Sequence, residues 1–106
     1  MATITEKVAR PKIQQTECFI GGKWQPAASG KTFETIHPAT EEVICNVAEG
    51  DKDDVDAAVD AAREAFDNGP WRTMDARDRG ALMYKLAELI EEEAEELAAL
   101  ETLDNG

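Results

Sequence analysis

The sequence predicts an α/β chain in which β-hairpins are followed by two amphipathic helices, incomplete as a domain. Three observations carry this reading. The composition changes at Gly50, from β-branched, aromatic, glycine and proline residues to a stretch rich in Ala, Glu, Asp and Leu. Apolar residues flank Gly21-Gly22, the pattern of two strands joined by a tight turn. Beyond Asp51 the apolar residues recur at helical spacing.

Bulk properties narrow the class further. The chain has 106 residues, 42% hydrophobic and 32% charged, the composition of an ordinary soluble protein. Its net charge of -12, with 23 Asp and Glu against 11 Lys and Arg, argues against nucleic acid as a partner, because a duplex binder must neutralise phosphates. No run of roughly 18 apolar residues is present, so no membrane span is expected. The start, "MATITEKVARPKIQQTE", lacks the apolar core of a secretory signal, so residues 1–16 read as a polar lead-in and the location as cytoplasmic. Cys18 and Cys45 form no CxxC pair and read as small strand residues in a reducing compartment.

Taken in order, Cys18, Phe19 and Ile20 form the first arm of the hairpin and Lys23, Trp24 and Gln25 the second. A loop from Ala28 to Lys31 precedes a strand from Thr32 to Ile36. A turn around Pro38 to Glu41 leads to a strand from about Glu42 to Val47, with Val43, Cys45 and Val47 on one apolar face. So few strands leave exposed sheet edges. Asp51 is placed to cap the first helix, and Asp54 adds an acidic first turn that suits the helix dipole. Val55, Ala58, Val59, Ala62 and Phe66 make its apolar stripe, opposite Asp53, Asp56, Asp60 and Glu64. Asn68-Gly69-Pro70 stops it, with Gly69 expected to supply a left-handed cap. Asp75 is expected to cap a second helix through about Leu103, and the Glu91–Glu93 and Glu95–Glu96 run marks an exposed, kinked face.

Four blocks, "FIGGKW", "SGKTFETIHPATEEVICNVAEGDKDDVDAAVDAAREAF", "WRTMDARDRGALMYKLAELI" and "LAALETLDNG", together resemble the N-terminal region of NAD(P)-dependent aldehyde dehydrogenases. Each block is weak singly; their order and spacing over Cys18 to Gly106 are specific. The resemblance implies that residues 17–106 are the N-terminal portion of a Rossmann-like cofactor domain. In that family "ETLDNG" continues into Lys-Pro and several hundred further residues, so the chain reads as truncated. The implied parent enzyme oxidises an aldehyde to a carboxylic acid with NAD(P), NAD preferred, as a homodimer or homotetramer. Its chemistry needs a thiolate nucleophile, donors for an oxyanion, and a carboxylate that activates the deacylating water.

By the same resemblance the nucleophile, the base, the oxyanion donor and the glycine-rich cofactor segment lie beyond Gly106, so no catalytic or cofactor-binding residue is expected here and the chain itself is expected to be inactive. Cys18 and Cys45 match early strand positions and inherit no catalytic role; Gly21-Gly22 is a turn, with no GxGxxG-type segment running from strand into helix. One site does carry over. Family members often bind a structural monovalent cation through a backbone oxygen of the "TI-x-P" segment and the Asp of "ETLD", here Thr35, Ile36 and Asp104. Oxygen ligands with a single carboxylate suit a hard, singly charged ion. Otherwise Thr35 and Ile36 are plain strand residues and Asp104 ends a helix. His37 reads as a turn residue, and Trp24 and Trp71 as packing anchors. The competing functional reading is a stand-alone acidic interaction module that binds a partner subunit through its uncovered faces.

Overall fold

Two consecutive glycines set the first hairpin. Gly21 and Gly22 hold φ at 60° and 78°, left-handed values that cost residues with a Cβ about 1–2 kcal/mol each. The turn joins β1 (Cys18–Ile20) to β2 (Lys23–Gln25), with Cys18 opposite Gln25, Phe19 opposite Trp24 and Ile20 opposite Lys23. The Phe19 and Trp24 rings lie 4.8 Å apart between centroids, a cross-strand aromatic pair that fixes the register. The computed structural model describes residues 10–106; residues 1–9 of the polar lead-in lie outside the described residues.

A second antiparallel pair, β3 (Thr32–Ile36) and β4 (Val43–Ala48), forms its own two-stranded sheet. Between Thr35 and Ile36 the register shifts, so that Thr35 faces Cys45 while Ile36 faces Val43. The connecting turn closes with His37 N–H donating to the Glu42 carbonyl and Glu41 N–H to the His37 carbonyl, both at 2.8 Å. This irregularity interrupts the expected alternation along β4. Val43 is exposed, whereas the neighbours Ile44 and Cys45 are both half-buried, so Val43, Cys45 and Val47 do not share one uniformly covered face. The outer edge of β4 is met by the preceding segment: Ala48 N–H donates to the Thr16 carbonyl at 2.8 Å, and Arg10 Nη2 to the Ile44 carbonyl at 3.4 Å. Such cover removes part of an edge that would otherwise pair with another chain.

Helix α1 (Lys52–Asn68) starts as its sequence dictates, with Asp51 in extended backbone and its side chain accepting the Lys52 N–H. Asp51 and Asp54 cap each other reciprocally, each side chain accepting the other's backbone N–H. Its far end departs from expectation. Gly69 is extended, at φ -79° and ψ 167°, and not left-handed. The cause is Pro70, whose ring forces the preceding residue out of helical and into extended backbone. A 3-10 turn, Pro70–Thr73, follows.

Where the sequence predicts one helix from Asp75 to about Leu103, there are two, α2 (Ala76–Glu92) and α3 (Ala94–Asn105). The break is a single residue, Glu93, at φ -100° and ψ 12°. Helical hydrogen bonding runs up to it and resumes from it, through Glu93 N–H to Leu89 and Leu97 N–H to Glu93. Glu91 with Glu95 and Glu92 with Glu96 place like charges four residues apart, which disfavours a straight helix there. Asp75 occupies the position before α2, but its side chain makes no capping bond.

Among the described residues Ala27 is the one buried apolar residue, at 4% exposure. Sixteen large apolar side chains of the described residues are exposed, from Phe19 to Leu97. The Cα envelope measures 56 × 37 × 16 Å with a radius of gyration of 17.9 Å, against about 13 Å for a compact chain of this length. The described residues form a thin slab of secondary structure with almost no interior.

Candidate functional site

The last helix returns to the second hairpin. Thr35, one residue before the register shift in β3, donates from Oγ1 to Asp104 Oδ1 at 3.0 Å, across 69 residues of sequence. Just beyond it, Gly106 sits against the His37-Pro38 turn, so closely that a Cβ there would lie 3.2 Å from the Pro38 Cβ. Two of the three residues expected to hold a cation therefore touch, and the third, Ile36, is the next residue along the strand. The oxygens brought together are those of the Thr35 hydroxyl and the Asp104 carboxylate. Among the described residues no group of three or more His, Cys, Asp or Glu side chains forms a site for a transition metal.

The other singled-out residues are scattered. Cys18 in β1 and Cys45 in β4 are free, half-buried thiols in different sheets. His37 takes part in its own turn, its Nδ1 accepting the Ala39 N–H at 3.2 Å. Trp24 packs on Phe19, and Trp71 lies in the 3-10 turn; both keep about half their surface in solvent. The stripe of α1 is turned to solvent at Val55 (60%), Val59 (60%) and Phe66 (63%). Against the first hairpin the helix presents the alanines of that stripe, Ala58 and Ala62, with Ala61 and Ala65 beside them; they line a shallow apolar groove of about 720 Å³ with Phe19 and Ile20.

Two polar anchors are only partly written in the local sequence. Asp54, expected as the acid of the helix's first turn, is 8% exposed and also accepts the Ala28 N–H at 2.9 Å. Its carboxyl is held below its ordinary 3.8 by the Asp51 N–H first and the Ala28 N–H second, with burial pulling weakly the other way. The Asp51/Asp54 spacing is a legible capping signal; the bond to Ala28 has no local signature. Arg79 in α2 reaches back from Nη1 to the Met74 carbonyl at 3.0 Å, tying the helix to the 3-10 turn.

The order of these elements has a counterpart. Residues 24–106 match the model of the aldehyde dehydrogenase family. The chain belongs to that family. The mitochondrial aldehyde dehydrogenase of Rattus norvegicus is 58% identical over 98 residues, which are 92% of this chain and 19% of the rat protein. A cytosolic aldehyde dehydrogenase from Elephantulus edwardii is 59% identical over 96 residues, 90% of this chain and 19% of that one. Among solved structures, a variant of the Bacillus cereus aldehyde dehydrogenase superposes with a TM-score of 0.84 at 55% identity, covering 88% of this chain and 19% of its own. The NAD+ complex of the Bacillus cereus enzyme superposes at 0.82, with 54% identity, covering 86% of this chain and 18% of its own. The chain thus spans about a fifth of the length of the relatives it matches. Its mixed α/β architecture of short hairpins and helices is that of the N-terminal part of the aldehyde dehydrogenase NAD-binding domain.

Proposed function

We propose that this chain serves as the N-terminal portion, residues 17–106, of the cofactor-binding domain of an NAD-preferring aldehyde dehydrogenase that oxidises an aldehyde to a carboxylic acid. The observation that carries the reading is the continuous match over residues 24–106, at 55–59% identity with relatives in sequence and fold. The whole enzyme would work in the cytoplasm as a homodimer or homotetramer.

The chain's own contribution is structural. By the family pattern the nucleophile, the base, the oxyanion donor and the cofactor-binding segment belong to the rest of the fold, and the two thiols here are free, half-buried strand residues. The exposed stripes of α1 and α2 are the surface on which that remainder packs. The chain incubated with acetaldehyde and NAD is expected to give no NADH absorbance. NADH formation that disappears in Cys45→Ala would overturn this assignment.

Thr35, Ile36 and Asp104 would hold a structural monovalent cation in the whole enzyme, pinning the end of β3 to α3 where the Thr35–Asp104 bond already joins them. The support is that contact together with the chemistry of its donors. In the full-length enzyme, sodium or potassium chloride is expected to raise the melting temperature above that in choline chloride at equal ionic strength, and Asp104→Asn to abolish the difference. Equal melting in the two salts would remove the cation from the scheme.

A further inference from the structure

Asp54 is the buried charged residue among the described residues, and both of its oxygens are in use. Oδ2 accepts the Asp51 N–H at 2.9 Å, closing the helix cap, and Oδ1 accepts the Ala28 N–H at 2.9 Å. Capping needs only the first bond and no burial. The second bond reaches 26 residues back, to the loop that follows the first hairpin, beside Ala27, the buried apolar residue among the described residues.

The hairpin has few other attachments. Upstream, the Thr16 carbonyl accepts from Ala48. Along its length it rests on α1 across a shallow groove of about 720 Å³, where a Cβ placed on Gly21 would meet the Ala61 Cβ in ordinary contact at 3.9 Å, and among the described residues no hydrogen bond joins the two strands to the helix. A hairpin of two three-residue strands is not stable unsupported in water. The hydrogen bonds that hold it to the rest of the fold lie at its ends.

We propose that Asp54 is a clamp: its carboxylate locks residues 26–31 to the first turn of α1, and releasing it frees the β1–β2 hairpin from the helix while α1 and the β3–β4 sheet stay formed. The groove lined by Phe19, Ile20, Ala58 and Ala61 opens with it. This rests on the chain's own hydrogen bonds and not on the family assignment.

Amide hydrogen exchange of the whole chain tests the clamp. Asp54→Asn keeps the size of the side chain but replaces one acceptor oxygen by an N–H donor, so it cannot receive both backbone amides. The expected result is at least a tenfold faster exchange at Ala28 and through β1 and β2, with β3 and β4 unchanged. Asp51→Ala, which removes a cap and leaves the Asp54–Ala28 bond intact, is expected to speed only the first turn of α1. An Asp54→Asn effect confined to residues 51–55 would overturn the clamp and leave Asp54 a helix cap. Should that variant not fold, exchange of the wild-type chain in rising urea tests the same coupling. Ala28 and the hairpin amides should then open together and before those of β3–β4; a shared opening of all of them, or Ala28 opening separately from the hairpin, would refute the proposal.

Discussion

A carboxylate with two backbone amides on it titrates differently from one in water, and Asp54 shows the consequence for stability. Its folded carboxyl is held below 3.8, its ordinary value. A group whose folded pKa is depressed contributes stability that is fully present above the unfolded value and disappears as the pH falls through the folded one. Other carboxylates of this acidic chain protonate in the same range, so the readout is a difference. The gap in urea midpoint between wild type and Asp54→Asn, followed by circular dichroism, is expected to be constant from pH 7 to about pH 5 and to close below pH 3.8. A gap that persists in strong acid would mean that the amides do not depend on the charge. Half of this arrangement is visible in the order of the residues. Two aspartates three apart at a helix start advertise a cap, whereas the partner at Ala28 is brought there by the path of two hairpins, which no local pattern records.

At the level of elements, the boundaries written by turn chemistry were legible and those written by longer contacts were not. Gly21-Gly22, the loop before Thr32 and the cap at Asp51 stand where the sequence puts them. Gly69 stands there for another reason. It is needed for room and not for a left-handed angle: a Cβ on it would lie 2.3 Å from the Ala65 carbonyl oxygen, backbone that cannot step aside. Gly80 in α2 is the opposite case, since a Cβ there meets nothing within 4 Å. Gly69→Ala is therefore expected to cost about 1–3 kcal/mol through overpacking, and Gly80→Ala to stabilise α2 by roughly 0.5–1 kcal/mol through helix propensity. Helical circular dichroism of the two variants against wild type in rising urea checks the direction of both; a neutral Gly69→Ala would show that the end of α1 can rearrange freely. The break at Glu93 lay half in view. The run of glutamates announced a kink, but where hydrogen bonding lapses depends on the balance between α2 and α3.

For the whole molecule, helical periodicity told which residues are apolar together without telling what covers them. Val55, Val59 and Phe66 form the stripe that their spacing predicts, and it faces solvent. The same holds for Leu82, Leu86, Leu89 and Ile90 of α2. Full burial of such a side chain is worth roughly 1.5–3 kcal/mol, so covering the sixteen described ones that are now about half-exposed represents on the order of 12–24 kcal/mol. That is as large as the entire stability of an ordinary domain, and this slab does without it. A chain with so little interior has no single cooperative core to lose, and patches of this extent on a protein surface attract other apolar surfaces. Heating the chain while following its helical signal is accordingly expected to give a broad, weakly cooperative transition, and size-exclusion chromatography to show association rather than a clean monomer. A sharp two-state transition at a monomeric elution volume would overturn this. It would mean that the exposed stripes of α1 and α2 find cover within the chain itself, and stripes covered in that way could not serve as the docking surface for the remainder of a dehydrogenase.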